Sequence, residues 1–585
     1  MTPPALVGEE LIEREPAPLV GRIFFEGNRE LEAGEMLERM SVRRRPWLVW
    51  GEPQSVDRRT LLDDAVRVEN MYKRAGYYHA RVVEIRLRER NGFVDITFAV
   101  DEDEPVRISK VADILYPDAD PDELEALARR NPLVPDDVFS ASNYLGTQRR
   151  LRSYLRNSGY YASEVTPEAW VDPAAYSAEV TYTVYDGPRV RFGEVRIEET
   201  RRVDPDIIRR ELLWEEGEWY SEELVERTID ELHGLNLFRL IRIEPGEFDP
   251  QTRTLPQVIS ASEAPPQMFR AGVGYGTEDG VRLQARYEHF NFLGDARRFS
   301  AIARTSFLLQ NLELSLVQPY IFGTRSAASL TAEYRRERIL DAFSYERYTL
   351  TPRLNRRLSR RTQGFVGYML EYNRAFDVLV GVPLVEQRAV DPGLLSGLVA
   401  GIERNTTDSP LTPRSGNVSR ARGLFAGTVL GGRFDFYNLL GETRQYFNPF
   451  RRWVYVTRLE AGVADPFGDS RVPLYERFYS GGDDSVRGYR RDRLGPAIGG
   501  HTLVEMGHEA RYRFPGGHWA AVFVDMGMVS TEPYNWDSGE VRWGIGPGYR
   551  IETILGLVRA DIGIPLQPRV DEPNWRFHLS IGQTF

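Results

Sequence analysis

The chain has two textures. From about residue 266 onward, apolar and polar residues alternate with a period of two. Val281, Leu283, Ala285, Tyr287 and His289 take one parity, and Arg282, Gln284, Arg286 and Glu288 take the other. Tyr455, Thr457, Leu459 and Ala461 alternate in the same way with Val456, Arg458, Glu460 and Gly462. Near the end, Trp575, Phe577, Leu579, Ile581 and Phe585 share a face against Arg576, His578, Ser580 and Thr584. Successive side chains on a strand point to opposite faces, so each segment predicts a strand with one apolar and one polar side. A soluble sandwich also alternates. Residues 266–585, however, show no helical pattern and no second core, and they are long for one sandwich. Polar positions rich in Arg and Glu, with aromatics near strand ends, fit a membrane barrel with a wet interior. At about 20 residues per strand and turn, the region holds about 16 antiparallel strands.

The first half repeats one order of elements three times, a pattern of tandem modules. Residues 1–17 are rich in Pro and Glu and read as a disordered leader. The first module, residues 18–104, opens with a strand ending at Gly27-Asn28, followed by a helix over 31–40 and a Trp- and Pro-containing insertion over 43–54. A second helix over 57–74 carries Leu61, Ala65, Val68 and Tyr72 on one face. Gly76-Tyr77-Tyr78 closes it, and strands follow over 80–87 and 94–100. The second module, residues 105–187, repeats this with helices over 121–130 and 140–157 and with Gly159-Tyr160-Tyr161 in the equivalent place. The third, residues 188–264, has helices over 205–213 and 221–232, Leu237-Phe238 in the aromatic slot, and a last strand over 254–262. Each is a small α+β unit with helices on one face of a mixed sheet. The four tyrosines read as core aromatics that cap a helix. Residues 265–585 are then the barrel.

Composition excludes several classes. The 585 residues carry 75 basic and 86 acidic side chains, a net charge of −11, so no nucleic-acid footprint is indicated. No cysteine is present, which removes disulfides and thiolate chemistry. No run of about 18 apolar residues exists to form a membrane helix, a test that barrel strands escape. Met1-Thr2-Pro3-Pro4 lacks the regions of a signal peptide, so export is expected to need a separate leader. The seven histidines show no metal-ligand spacing, and no phosphate loop, dinucleotide fingerprint or nucleophile elbow appears. We therefore expect no enzyme, no metal and no cofactor.

One segment stands apart: Gly481-Gly482-Asp483-Asp484-Ser485-Val486-Arg487-Gly488-Tyr489-Arg490-Arg491. Its glycines and Asp-Asp-Ser predict a loop between strands. In the strand ending at Phe514, Glu505, Gly507, Glu509, Arg511 and Arg513 share the polar parity. In the next, Val522, Val524, Met526 and Met528 suit lipid, which leaves Asp525 facing inward. A loop folded into the lumen would bring Arg487 to Asp525 and Glu509, where a guanidinium fork binds a carboxylate in a way that Lys does not reproduce.

The modules, with Gly-Tyr-Tyr after the second helix and Asp186-Gly187-Pro188 at a seam, resemble POTRA domains. Five ordered barrel motifs extend this to the BamA/TamA superfamily of outer-membrane assembly factors. They are Gly272-Val273-Gly274-Tyr275-Gly276 with the turn to Gly280, the turn from Thr407 to Gly416, Val486-Arg487-Gly488-Tyr489, Phe523-Val524-Asp525-Met526-Gly527, and Gly544-Ile545-Gly546-Pro547-Gly548. Gly582-Gln583-Thr584-Phe585 resembles the terminal aromatic signal of outer-membrane barrels. Thr553-Ile554-Leu555-Gly556 departs from the family's usual Ser-Pro-containing turn, which puts that turn's geometry in question.

The resemblance implies three POTRA domains in the periplasm followed by an outer-membrane barrel, and the module count places the chain nearest the TamA branch. It implies an anchor of Arg487 to Asp525 and Glu509, within a signature loop of Gly481, Gly482, Ser485, Val486, Gly488 and Tyr489. It also implies a weak seam between the first strand, with Gly272, Val273, Gly274 and Tyr275, and the last, with Leu579, Ile581, Gly582 and Phe585. Expected partners are the outer-membrane bilayer, unfolded outer-membrane protein clients and a TamB-type periplasmic protein implicated in lipid movement. Two alternatives stay open: a two-partner-type secretion transporter, and a passive porin or receptor with periplasmic modules.

Overall fold

The computed structural model describes residues 3–12, 19–42, 55, 57–111, 129, 133–198, 200–340, 342–378, 391–410, 412–450, 452–514, 517–537, 541–553, 556–568 and 572–581. Two units emerge: Met1–Ile197, Leu213–Ile229 and Arg242–Ser260 in the first, and Glu198–Leu212, Asp230–Ile241 and Ala261–Phe585 in the second.

In the first unit, strands β1 (Ala5–Val7), β2 (Leu19–Glu26), β3 (Arg81–Arg90) and β4 (Phe93–Asp101) form a sheet in the order β1-β3-β4-β2. The β3–β4 pair is antiparallel, while β1 and β2 pair parallel to β3 and β4. Helices α1 (Ala33–Arg39) and α2 (Arg58–Ala75) belong to the same module. The start of α2 is set by Asp57, whose side chain accepts from the Thr60 amide at 2.7 Å, a cap worth about 1 kcal/mol. Its Leu61, Ala65, Val68 and Tyr72 are buried with Ile85, Ile96 and Phe98 of the sheet. Burial, and after it Glu102, which accepts from the phenol at 2.8 Å, pushes the Tyr72 hydroxyl well above its ordinary pKa.

The leader is not disordered throughout. Ala5, Leu6 and Val7 pair with Glu84, Ile85 and Arg86, and Leu6, Leu11 and Ile12 pack against the module's core. Arg58 Nε lies 2.7 Å from Glu9 Oε1. An available sheet edge and three apolar side chains outweigh a local composition that favours disorder. Residues 1–2 and 13–18 lie outside the described residues, as do 43–54.

The second module orders β5 (Arg107–Val111), β6 (Glu164–Asp172) and β7 (Ser177–Tyr185) as β5-β7-β6, with α3 (Ala141–Asn157) capped by Ser140. Of the helix expected over 121–130, only Arg129 is described. The Gly-Tyr-Tyr repeats do more than close a helix. Tyr77 packs on the first core and Tyr160 is buried in the second, as expected of core aromatics. The second tyrosine of each pair reaches the following module. Tyr78 stacks on Phe139 at 6.5 Å, and Tyr161 meets Tyr220 edge-on at 6.3 Å. The glycine carbonyls repeat the same link, accepting from Val106 and Val190 amides at 2.9 Å.

In the third module, β8 (Arg191–Ile197), β9 (Phe238–Pro245) and β10 (Thr254–Glu263) run in the order β8-β10-β9, with α4 (Pro205–Arg210) and α5 (Glu222–Gly234). Strand β9 was not anticipated. Its buried residues, Phe238 and Ile241, are three apart, a spacing that does not read as a strand.

The second unit contains a closed barrel of 16 strands, from β11 (Gln267–Gly276) to β26 (Arg576–Ile581), with each strand bonded to its sequence neighbours. The alternation seen in sequence sorts inside from outside. On β12 (Gly280–His289), Val281 and Leu283 are exposed outward while Arg282 is 2 % exposed. Within this unit Tyr320, after β14 (Leu309–Pro319), donates to Glu211 Oε1 at 2.7 Å, and Arg357 lies 2.5 Å from Glu231. The interior is drier than expected on one side, where inward Leu395, Val399, Leu424 and Val529 form one apolar cluster with Val486 and Tyr489.

Candidate functional site

The connection between β21 (Trp453–Pro466) and β22 (Thr502–Phe514) folds into the lumen. Gly481 donates its amide to Ser485 Oγ at 2.9 Å, and that hydroxyl donates to Glu505 on β22. Gly482 follows in the same turn. Val486 and Tyr489 are fully buried in the apolar cluster, and the Tyr489 hydroxyl reaches the Gln567 carbonyl at 3.2 Å. Between them Gly488 takes φ +104, and a Cβ there would sit 2.9 Å from the Pro565 nitrogen of β25 (Gly556–Pro565). Only glycine satisfies both the left-handed backbone and the approach. The motif is thereby pressed flat against the wall, which fixes the direction of the preceding side chain.

That side chain is Arg487, 7 % exposed. Its Nε and Nη2 donate to the two oxygens of Asp525 on β23 (His518–Ser530), at 2.7 and 2.9 Å, and its backbone amide donates to Asp525 at 3.1 Å. Nη1 donates to Glu509 on β22 at 2.6 Å. The structure therefore brings together all three residues of the expected anchor. It also supplies partners that sequence reasoning missed. Asp561 of β25, a third carboxylate, accepts a second bond from Nη1 at 3.3 Å, and the guanidinium lies 3.4 Å from the Phe523 ring centroid. Arg511 Nε donates to Glu509 at 2.6 Å, and Arg550 of β24 (Arg542–Thr553) bonds both Glu509 and Asp561. Arg559 Nε also lies 3.4 Å from Asp561, so four guanidinium groups face three carboxylates and the hydrogen bonds among them are charge-assisted. Asp561 shares its parity with Arg559 and Gly563, against Ala560, Ile562 and Ile564, so alternation did carry a signal for it.

Arg487 sits among anions, which keeps its proton on. Among the described residues no group of three or more His, Asp or Glu is placed to hold a metal ion.

The seam closes β11 on β26. Among the described residues its register pairs are Tyr275↔Ile581 and Gly276↔Ser580, with Leu579 facing Thr277 through an N–H···O bond of 3.0 Å. The neighbouring β11–β12 ladder holds ten pairs, from Gln267↔His289 to Gly276↔Gly280, which include Gly272, Val273 and Gly274. Val273 is 72 % exposed on the outer face, and Gly274 lies directly against the Ile581 carbonyl. Gly582 and Phe585, also expected at the seam, lie outside the described residues, as do Ile554 and Leu555 of the departing turn.

Comparison with known proteins agrees with this geometry. The Omp85 superfamily domain model matches residues 291–585, and the POTRA model, described as a surface antigen variable number repeat, matches 18–103, 120–187 and 190–260. The chain is similar to the outer membrane protein assembly factor BamA of Nitratidesulfovibrio vulgaris, with 24% identity over 97% of this chain and 73% of that protein. The BamA of Neisseria meningitidis serogroup B is 21% identical over 96% of this chain and 78% of its own length. Among solved structures, BamA from Haemophilus ducreyi lacking POTRA domains 1–3 superposes with a TM-score of 0.66 at 18% identity. That match covers 82% of this chain and all of the other.

Proposed function

The chain belongs to the Omp85 superfamily, and on that premise we propose that it inserts β-barrel proteins into the outer membrane by pairing client strands at its own seam. The barrel belongs to a bacterial outer membrane and the POTRA modules to the periplasm. Relatives named as outer membrane protein assembly factors support the assembly reading.

The observation that carries the mechanism is the closing ladder. Among the described residues Tyr275↔Ile581 and Gly276↔Ser580 join β11 to β26, so the first and last strands of the barrel meet edge to edge. A ladder that opens exposes two strand edges, each a template for an incoming chain. In lipid an unpaired backbone costs several kcal/mol per group, so the opened seam persists only while client strands replace the lost bonds. The modules add a first contact. Strand β6 is an edge of the second sheet and suits strand addition by an extended segment, whereas the β3 edge of the first sheet is occupied by β1. The loop and its apolar cluster fill part of the lumen, which speaks against a passive pore.

The finer part of the proposal is a TamA-type factor acting on autotransporter-type clients, with a TamB-type periplasmic partner and a role in lipid transport. It rests on the count of three modules, and co-purification from membranes tests it. The assembly reading is tested by reconstituting the protein in lipid vesicles and adding a urea-denatured barrel client. Client folding should run faster than in empty vesicles. An unchanged rate, together with large steady single-channel currents, would favour a pore instead.

A further inference from the structure

The end of the seam at the β11–β12 turn carries side-chain contacts that the backbone ladder does not account for. Arg282 stands on β12, one strand away from β26, yet its Nη1 donates to Ser580 Oγ on β26 at 3.2 Å. It reaches there by passing over β11 at Gly276, where an added Cβ would lie 2.7 Å from Arg282 Nη2. Asp279 holds the guanidinium in this pose, accepting from Nε at 2.6 Å. A second contact lies beside it. His578 Nδ1 of β26 is 3.4 Å from Glu278 Oε1 in the β11–β12 turn, and both side chains are buried or nearly so. The turn and the last strand are joined as well by the Leu579 amide, which donates to Thr277 Oγ1 at 3.2 Å.

The lumen loop touches both halves of this arrangement. The Gly488 amide points to His578 Nε2 at 3.5 Å, on the last-strand side. Gly482 packs on Glu278, whose Oε2 would be 2.9 Å from an added Cβ, on the first-hairpin side. The residue between these glycines that fixes the loop is Arg487, bonded to β22, β23 and β25.

We propose that Arg282, Ser580, Glu278 and His578 form a polar clasp that closes the seam from the lumen, and that the loop anchored by Arg487 sets whether the clasp holds. These are positioning residues, and the inference rests on the assembly reading, in which the seam must open. The clasp holds the ladder shut at rest without adding backbone bonds that a client strand would then have to displace. Its parts come from both sides of the seam, so opening separates them together.

The test is amide exchange of the full chain in lipid nanodiscs, without client, read for segments containing Thr277 and Leu579. Ser580→Ala and Arg282→Gln should each raise exchange there about tenfold, the change expected from losing one hydrogen bond to a charged group. Exchange in the ladder between β18 (Gly393–Asn405) and β19 (Gly416–Ala426) should not change. Ser580→Thr, which keeps the hydroxyl, should restore slow exchange. Arg487→Lys should loosen the same segments if the loop governs the clasp. Unchanged exchange in Ser580→Ala, or an equal rise in every ladder, overturns the proposal. Because no client is present, that result refutes the clasp and leaves the assembly reading intact. A responsive seam in a protein that fails to speed client folding has the opposite meaning.

Discussion

Arg487→Ala removes the one guanidinium that, among the described residues, bonds Asp525. Glu509 and Asp561 keep Arg550, and Glu509 keeps Arg511 as well. The described bonds of the Asp525 carboxylate are those from Arg487, and this residue is 2 % exposed. The substitution therefore leaves a buried carboxylate without its counter-ion, a change that costs about 3–5 kcal/mol. Contact with the Phe523 ring is lost too. At roughly 2 °C per kcal/mol for a domain of this size, the melting temperature should fall by roughly 6–10 °C. The assay is thermal unfolding in detergent micelles, followed by the mobility of folded barrel on unheated gels. Asp525→Ala should cost a similar amount, because Arg487 then faces an incomplete set of acceptors. In the double variant the two penalties should not add. The coupling should reach about 2 kcal/mol, within the range found for side chains in direct contact. Arg487→Lys keeps the charge but loses the paired bonds, and should lie between Arg487→Ala and the parent. Additive losses would refute the reasoning, since they would mean that the two side chains stabilise the barrel independently.

Three further outcomes follow from the geometry. Gly488→Ala, at φ +104 and against the Pro565 nitrogen, should lower stability by about 1–3 kcal/mol in the same melts, with the loop displaced from β25. Burial raises the Glu263 carboxyl, but the Arg202, Val203 and Arg201 amides and the Arg202 guanidinium outweigh this and hold it at about 2. A depressed carboxylate contributes stability above its unfolded pKa of about 4.3, and that contribution is lost as pH falls toward the folded value. Exchange at residues 201–203 should therefore accelerate below about pH 4, and Glu263→Gln should flatten that dependence. Leu6→Asp should release β1, seen as faster exchange at Glu84, Ile85 and Arg86 with the rest of the module protected.

Much of the barrel was legible because a membrane wall allows each strand residue one of two environments. Alternation alone assigns Arg282 inward and Val281 outward, and parity alone turns Glu509 and Asp525 toward the lumen. Parity does not say which strands a loop will reach. Asp561 had the right parity on β25, but its approach to Arg487 depends on Gly488 laying the loop against that strand. Arg550 was hidden for a related reason, since a charge on a late strand looks like any lumen arginine until its two acids are placed. The dry side of the lumen was missed because Val486 and Tyr489 are loop residues, and no periodicity marks which wall a loop will pack on. Local composition misled at Ala5–Val7, where a tertiary contact with β3 decides the conformation. In the modules, the buried face of α2 was readable, whereas the second tyrosine of each Gly-Tyr-Tyr gave no hint that it belongs to the next core.

The claim that the seam must open is tested most directly by closing it. The chain has no cysteine, so Tyr275→Cys with Ile581→Cys places one reversible disulfide on a register pair, free of background thiols. Leu398→Cys with Phe425→Cys, a register pair between β18 and β19, serves as the control. Client folding in vesicles should stop when the seam pair is oxidised, return on reduction, and proceed in the oxidised control. Full activity with the seam disulfide formed would contradict the account.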